Sequence, residues 1–290
     1  MGLRRRLSAT ALTTALALAA GVSVASWAAA AAGKGYDVSW PLCGGGPVPA
    51  DGDVGIVGVN GGKPYENNPC LAPQYAWAAT APRQAAFYIN TANPGTASTA
   101  VNWYGQKSPN ANCSPADEAA CAFNYGYNGA RHAFAYAQSQ TRAAARHSWW
   151  LDVETGNSWS RNTGLNRAAI LGSITFLRSQ GVPVGAYSTR YQWGRITGGA
   201  VLADVPSWVA GARNRAHAAT MCAPQYSFTG GPVAMVQWVE HNLDHDLLCA
   251  PLPAPAAPTP PPPQNVIEQL LRDLLGVGSR AAQNLGLLPK

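Results

Sequence analysis

The sequence predicts an α/β protein: one irregular (β/α) barrel, preceded by an export signal and followed by a proline-rich linker and a short amphipathic helix. Three observations carry this. Seven short β-rich runs, at residues 35–40, 54–60, 85–91, 148–154, 182–189, 206–212 and 233–239, recur between longer stretches. Several of them are continuously apolar rather than alternating, as strands buried on both faces are. The stretches between include helical patterns, an Ala-rich one at 117–146 and another at 165–180. Strand, helix, strand repeated in this way means a parallel sheet. Residues 33–250, about 218 positions with no internal linker, suit one domain better than two. An open doubly wound sheet is the alternative topology.

The elements follow in chain order. Residues 1–6 are a short basic n-region, 9–26 are mostly Ala, Leu, Val and Thr, and the run of Ala at 28–32 offers small residues for cleavage. This reads as a signal peptide over 1–32, with an uncleaved anchor helix as the alternative and a twin-arginine route left open by Arg4-Arg5-Arg6. The barrel domain spans 33–250. Residues 251–263 hold eight prolines and form a stiff linker, assigned to 251–264. Over 265–290 an apolar stripe of Val266, Ile267, Leu270, Leu271, Leu274 and Leu275 marks a helix, with Asn265 and Glu268 as an N-cap-like pair. Such a helix cannot bury its stripe alone. It docks back on the domain, self-associates, or meets an envelope or protein partner. A proline linker shares few contacts with its domain, so removal of 251–290 is expected to leave the barrel folded.

Composition narrows the function. The chain has 290 residues, 12% of them charged and 47% hydrophobic, which excludes disorder. Past the N-terminal segment no apolar run approaches the ~20 residues of a membrane span. The formal charge of +6 drops to +3 once Arg4, Arg5 and Arg6 leave with the signal. That is too small and scattered for a nucleic-acid partner. Export gives the six cysteines an oxidising compartment, so Cys43, Cys70, Cys113, Cys121, Cys222 and Cys249 read as up to three disulfides. Of 15 connectivities, pairing of sequence neighbours is the simplest.

Carboxylates are scarce: residues 33–250 contain only Glu66, Glu118, Glu154 and Glu240 as glutamates. Two acids nonetheless sit together in Asp152-Val153-Glu154, behind Trp149-Trp150-Leu151. On a strand, i and i+2 project from one face about 6.6–6.8 Å apart. Like charges at that distance beside Trp raise the pKa of at least one, dividing the pair into a proton donor and an ionised partner. The C-terminal end of a barrel strand is where such a pair acts. A strand-end pair held by Arg or backbone N–H groups is the structural alternative. Asp37, in Gly35-Tyr36-Asp37-Val38-Ser39-Trp40, ends the first strand. Asp244 and Asp246 follow Gln237-Trp238, and barrel closure would bring them to Asp37.

Trp40, Tyr88, Trp150, Tyr187, Trp193, Trp208 and Trp238 lie at or just after strand ends. Flat rings there suit the apolar faces of sugars, or equally fill a core. His241 and His245 are spaced i, i+4 in a segment that reads as a loop, a poor metal site, and no Cys/His knuckle spacing exists. No Gly-x-Ser-x-Gly is present. Gly44-Gly45-Gly46 matches no nucleotide fingerprint. No metal or cofactor is called for.

These motifs, in order, resemble the glycoside hydrolase family 25 lysozymes, and more closely the related glycoside-hydrolase-like domains of secreted bacterial proteins. Gly35-Tyr36-Asp37-Val38-Ser39 is similar to the family's opening strand. Trp150-Leu151-Asp152-Val153-Glu154 is similar to its Asp-x-Glu strand. Val184-Gly185-Ala186-Tyr187-Ser188-Thr189, Trp208-Val209-Ala210 and Gln237-Trp238 are similar to later strands, and Asp244 lies where a late Asp is found. The sequence departs in the order Gln237-Trp238, in Asp246 where Asn is common, and in the insert at 102–121. The resemblance implies an irregular TIM-like (β/α) barrel that cleaves the β-1,4 bond of peptidoglycan. It further implies Glu154 as general acid, Asp152 stabilising an intermediate formed with the substrate's acetamido group, and Asp37 orienting sugar or acid. Asp244 would support the cluster, and Tyr88, Trp150, Tyr187, Trp193, Trp208, Gln237 and Trp238 would line the groove. The expected protein is a monomeric, secreted or wall-associated glycosidase. The rival is a non-catalytic carbohydrate- or envelope-binding module on the same barrel.

Overall fold

A computed structural model describes residues 33–45, 48–97, 102–103, 109, 113, 118–260 and 263–275. The signal segment 1–32, most of the insert at 102–121 and the tail past 275 lie outside them, as do the side chains of 270–275.

Eight strands close a barrel in sequence order. They are β1 (Lys34–Val38), β2 (Val54–Gly58), β3 (Gln84–Asn90), β4 (Ser148–Asp152), β5 (Val184–Ser188), β6 (Ser207–Ala212), β7 (Val233–Glu240) and β8 (Leu243–Leu248). The first seven match the expected runs and pair in parallel. The eighth is a correction. The segment read as a loop is a strand, antiparallel to both β7 and β1, so the sheet is mixed. His241 and Asn242, both with positive φ (53° and 59°), make the tight reversal into it. The last predicted strand therefore does not meet the first: β8 stands between them.

Alternation along the strands separates two cores. Val54, Ile56, Ala86, Trp150, Trp208, Met235 and Leu248 fill the barrel interior. The intervening residues, among them Val57, Phe87, Trp149, Leu151, Val236 and Leu247, face the surrounding helices. Gly185 lets this interior pack: a Cβ there would lie 2.1 Å from the Trp150 ring.

Helices α1 (Leu71–Ala78), α2 (Glu118–Thr141), α3 (Thr163–Ser179), α4 (Arg190–Thr197) and α5 (Arg215–Met221) lie outside. Asn162, Thr189 and Asn214 cap the last three with side-chain oxygens. Helices α2 and α3 touch backbone to backbone. A Cβ on Gly126 would sit 1.8 Å from the Ala169 carbonyl oxygen, and one on Gly172 2.0 Å from that of Phe123. The disulfides are those of sequence neighbours: Cys43–Cys70, Cys113–Cys121 and Cys222–Cys249.

The linker is less detached than its composition suggests. Ala256 N donates to Gly181 O (2.7 Å) and Thr259 N to Ser179 O (3.0 Å). Helix α6 (Gln264–Leu275) then lays Ile267, 1% exposed, into the outer core. Burial of one Ile side chain contributes about 1.5–3 kcal/mol. Truncation after Ala250 is therefore expected to leave a folded barrel whose Tm is lower by about 3–12 °C, at 2–4 °C per kcal/mol for this size. An unchanged Tm in calorimetry would refute the docking. Among the described residues no helix is long and apolar enough to cross a membrane.

Candidate active site

The parallel strands all end at one mouth, and the inward side chains there are acids and amides. Asp37 ends β1 pointing inward. Asp152 ends β4, with Glu154 two residues beyond. Asp244 and Asp246 stand on β8 on the same face, opposite Asp37 and Gly35 in the register. Tyr88, Asn90, Tyr187 and Gln237 complete the ring.

The ends of β3, β4 and β5 are tied together so that Asp152 and Glu154 are held rather than free. The Asp152 carbonyl accepts from Thr91 N (3.1 Å) and Thr91 Oγ1 (2.6 Å). Val153 N donates to Tyr187 O (2.9 Å), and Ser188 Oγ donates to Val153 O (2.7 Å). Asn90 Nδ2 donates to Asp152 Oδ2 in a very short contact. Past the strand, Gln192 clamps Glu154: its Oε1 accepts from Thr155 N (2.6 Å) and Oγ1 (2.9 Å), which leaves Nε2 to donate to Glu154 Oε1 (3.1 Å). Trp159 Nε1 donates to the Glu154 carbonyl (2.8 Å). From β5, beside Asp152, Tyr187 OH reaches across to donate to Gln237 Oε1 (2.8 Å), and Gln237 Nε2 donates to Asp37 Oδ2 (2.8 Å) on the far side of the mouth.

Asp37, Asp152 and Asp246 are buried; Glu154 and Asp244 are half-buried. Burial pushes Asp37 up to about 7, helped by the Asp244 charge and opposed by the hydrogen bonds from Gln237 and Asp246. Burial and then the neighbouring Glu154 carboxyl, with which it is in hydrogen-bond contact, push Asp152 well above the carboxylate range. Burial raises Asp246, Asp244, Tyr88 and Tyr187 as well. These raised carboxyls hold protons at neutral pH.

That storage has a thermodynamic consequence. A carboxyl whose folded pKa lies above its unfolded value stabilises the fold below the unfolded value, and the contribution is lost as pH rises through the folded one. For these acids the window opens at the ordinary Asp value of 3.8 and runs to about 7 for Asp37. Asp51, held low by Lys34 and Tyr36, works in the other sense, but only below that window. His132 and His147, whose pKa values burial lowers, oppose it inside the window below their ordinary 6.5, but these are two part-buried imidazoles against four raised carboxyls, three of them buried. Tm is expected to fall by several degrees between pH 4 and 7; a Tm that rises across it in a scanning calorimetry series would contradict the stored protons.

Sequence-predicted residues divide into three groups. Asp37, Asp152, Glu154, Asp244, Tyr88, Tyr187 and Gln237 are brought together at the mouth. Trp150 and Trp208 lie one layer below, buried, with rings 5.8 Å apart and Tyr187 on Trp208 at 4.7 Å. They form the floor under the acids rather than a sugar-facing wall. Trp193 and Trp238 are corrections. Trp193, 1% exposed on α4, packs on Phe228 in the outer core, its Nε1 donating to Ala200 O. Trp238 must face out because its neighbour Gln237 faces in; it stacks on His245 at 5.1 Å. His245 also meets Tyr36 on that outer face. Among the described residues no group of His, Cys, Asp or Glu is arranged to hold a metal ion.

Asn90 and Gln192 were not among the predicted site residues, and Asp246 was expected only as an acid that barrel closure would bring to the cluster. Asn90 continues the inward series Ala86, Tyr88 on β3, and Asp246 repeats Asp244 two positions on, so strand alternation points to both. Nothing local marks Gln192, whose place depends on how α4 follows β5.

Residues 119–224 match the model of a family described as lysozyme-like protein 1. That stretch carries β4 to β6 with Asp152, Glu154, Tyr187 and Gln192. No curated protein matches. Among solved structures the chain is similar to the bacterial lysozyme from Streptomyces coelicolor (16% identity, 74% of this chain and 91% of that one, TM-score 0.47). It is similar also to a family GH25 lysozyme from Aspergillus fumigatus (14%, 85% and 100%, 0.42). A third is the modular autolysin LytC from Streptococcus pneumoniae (15%, 75% and 46%, 0.47).

Proposed function

We propose that this protein is an exported glycosidase of the lysozyme type that cleaves β-1,4 bonds of peptidoglycan. One observation carries the reading. In a chain poor in carboxylates, Glu154 sits half-exposed at the mouth in contact with a buried Asp152, and both are immobilised by amide side chains. A pair that shares one proton can present it on the outer member. Glu154 then gives that proton to the glycosidic oxygen as the bond to the anomeric carbon breaks. Asp152, left ionised, accepts from the N–H of the substrate's acetamido group, whose oxygen bonds to the anomeric carbon. Water opens this intermediate and returns a proton to Glu154. Substrate assistance of this kind needs no second carboxylate nucleophile. Asp37, Asp244 and Gln237 make the opposite wall, and Tyr88 and Tyr187 flank Asp152 from β3 and β5.

Two exposed aromatics bracket this centre. Trp40 (46% exposed) follows β1, and Tyr191 (72% exposed) opens α4 directly after β5. In an eight-strand closed barrel β1 and β5 are four strands apart, on opposite rims. A glycan laid from one ring to the other crosses the acids, and ring faces stack on pyranoses. The three disulfides fit an oxidising, extracellular or wall-associated location. The test is release of new reducing ends and soluble muropeptides from purified peptidoglycan by the mature protein. Sedimentation with the wall and no release would instead make it a binding module.

A further inference from the structure

Asp246 belongs to the cluster and has no part in the chemistry above. It is fully buried. Its Oδ1 accepts from Trp208 Nε1 (2.7 Å), while Oδ2 is buried with no N–H or O–H donor. The carboxyl is in hydrogen-bond contact with Asp37. Gly35 lets the strands bring it there, since a Cβ on that residue would lie 3.0 Å from Asp246 Cβ.

The donor directions around Asp37 are dictated by chemistry. Tyr187 OH donates to Gln237 Oε1, so the other end of that amide, Nε2, donates to Asp37. An indole N–H only donates, so Asp246 Oδ1 is an acceptor. Two carboxyls in contact inside a low-dielectric site do not both ionise. The one oxygen of Asp246 free to carry a proton is Oδ2. Facing the pair are Asp244 on β8, Gln237 on β7, Trp208 on β6, Tyr187 on β5, Asp152 on β4 with Glu154 just after it, and Tyr88 on β3, with His245 acting on Asp244 from the outer face of β8. Every charged group that acts on Asp37 is therefore itself a carboxyl.

We propose that Asp246 is a positioning residue: its Oδ2 carries a proton that it donates to Asp37, fixing the Asp37 carboxylate as the common acceptor of Asp246 and Gln237 and so setting the wall that faces Asp152 and Glu154. This rests on the glycosidase reading of the site. Asp246 touches no substrate.

Asp246→Asn tests it. The amide oxygen still accepts from Trp208, and Nδ2–H is a permanent donor to Asp37 with no proton to lose. Asp246→Leu keeps the branched four-atom shape, though it is bulkier, and removes both. A hydrogen bond to a charged group corresponds to about 10- to 100-fold in rate. The Leu variant is expected to lose about that factor in reducing-end release at neutral pH, and the Asn variant only a few-fold. The wild type is expected to lose activity on the alkaline side as the shared proton leaves, and the Asn variant to keep it. Independently of activity, the Trp208 indole N–H resonance is expected to move with pH in the wild type and to stay fixed in Asp246→Asn. An Asn variant as damaged as Leu, an alkaline limb shared by wild type and Asn, or a pH-independent indole signal in the wild type would overturn the proposal. If the Leu variant does not fold, wild type against Asn decides. If the indole titrates as expected and no variant releases reducing ends, the glycosidase reading fails and the proton assignment stands.

Discussion

Glu154→Gln is expected to lower reducing-end release from peptidoglycan by about 10²- to 10⁴-fold, the range a positioned general acid contributes, with wall sedimentation and Tm unchanged. The fold has little reason to notice. The Glu154 side chain is half-exposed and accepts a hydrogen bond from Gln192 Nε2 (3.1 Å), which a glutamine oxygen also accepts. What disappears is the ability to hand over a proton. Activity that persists in the variant would move the acid to another carboxyl of the cluster. Inactivity of both proteins, with both still bound to the wall, would favour the binding module.

The second large effect concerns the scaffold. Gly126→Ala and Gly172→Ala each place a methyl group about 2 Å from a carbonyl oxygen of the facing helix. The obstacle is backbone, so no side chain can turn aside. Overpacking typically costs about 1–3 kcal/mol, and these sites belong at the upper end. At 2–4 °C per kcal/mol, Tm is expected to fall by about 6–12 °C. Gly194→Ala is the internal comparison: the same change in α4 meets open space, and replacing a helical Gly contributes roughly 0.5–1 kcal/mol. If all three variants melt alike, the close crossing of α2 and α3 is not what limits stability.

Much of this was legible in the sequence because burial on both faces leaves a strong mark. Val54–Gly58 and Ser148–Asp152 are buried at every position, and such runs stand out without any knowledge of their partners. The acids Asp37, Asp152 and Glu154 were legible for the same reason: they sit at the ends of those runs. β8 was not. Leu243–Leu248 is half-buried over its first three residues, its His and Asp residues resemble a loop, and the turn before it contains no Gly. Facing was the other loss. Trp193 and Trp238 lie at the right points along the chain for the mouth, but which way a ring points is set by register and by the rotation of α4. That Gln237 takes the inward position excludes Trp238 from it.

The reversal of β8 also decides where the chain leaves the barrel. An eighth parallel strand would have delivered its end beside the acids. Instead β8 starts at the mouth with Asp244 and finishes at the opposite pole, where Leu248 N meets Gly33 O and Cys249 is bonded to Cys222. The proline segment then runs along that pole, past Gly181 and Ser179. The linker therefore departs from the pole farthest from the acids and does not cross the mouth, as a handle leaves a blade at the end away from its edge.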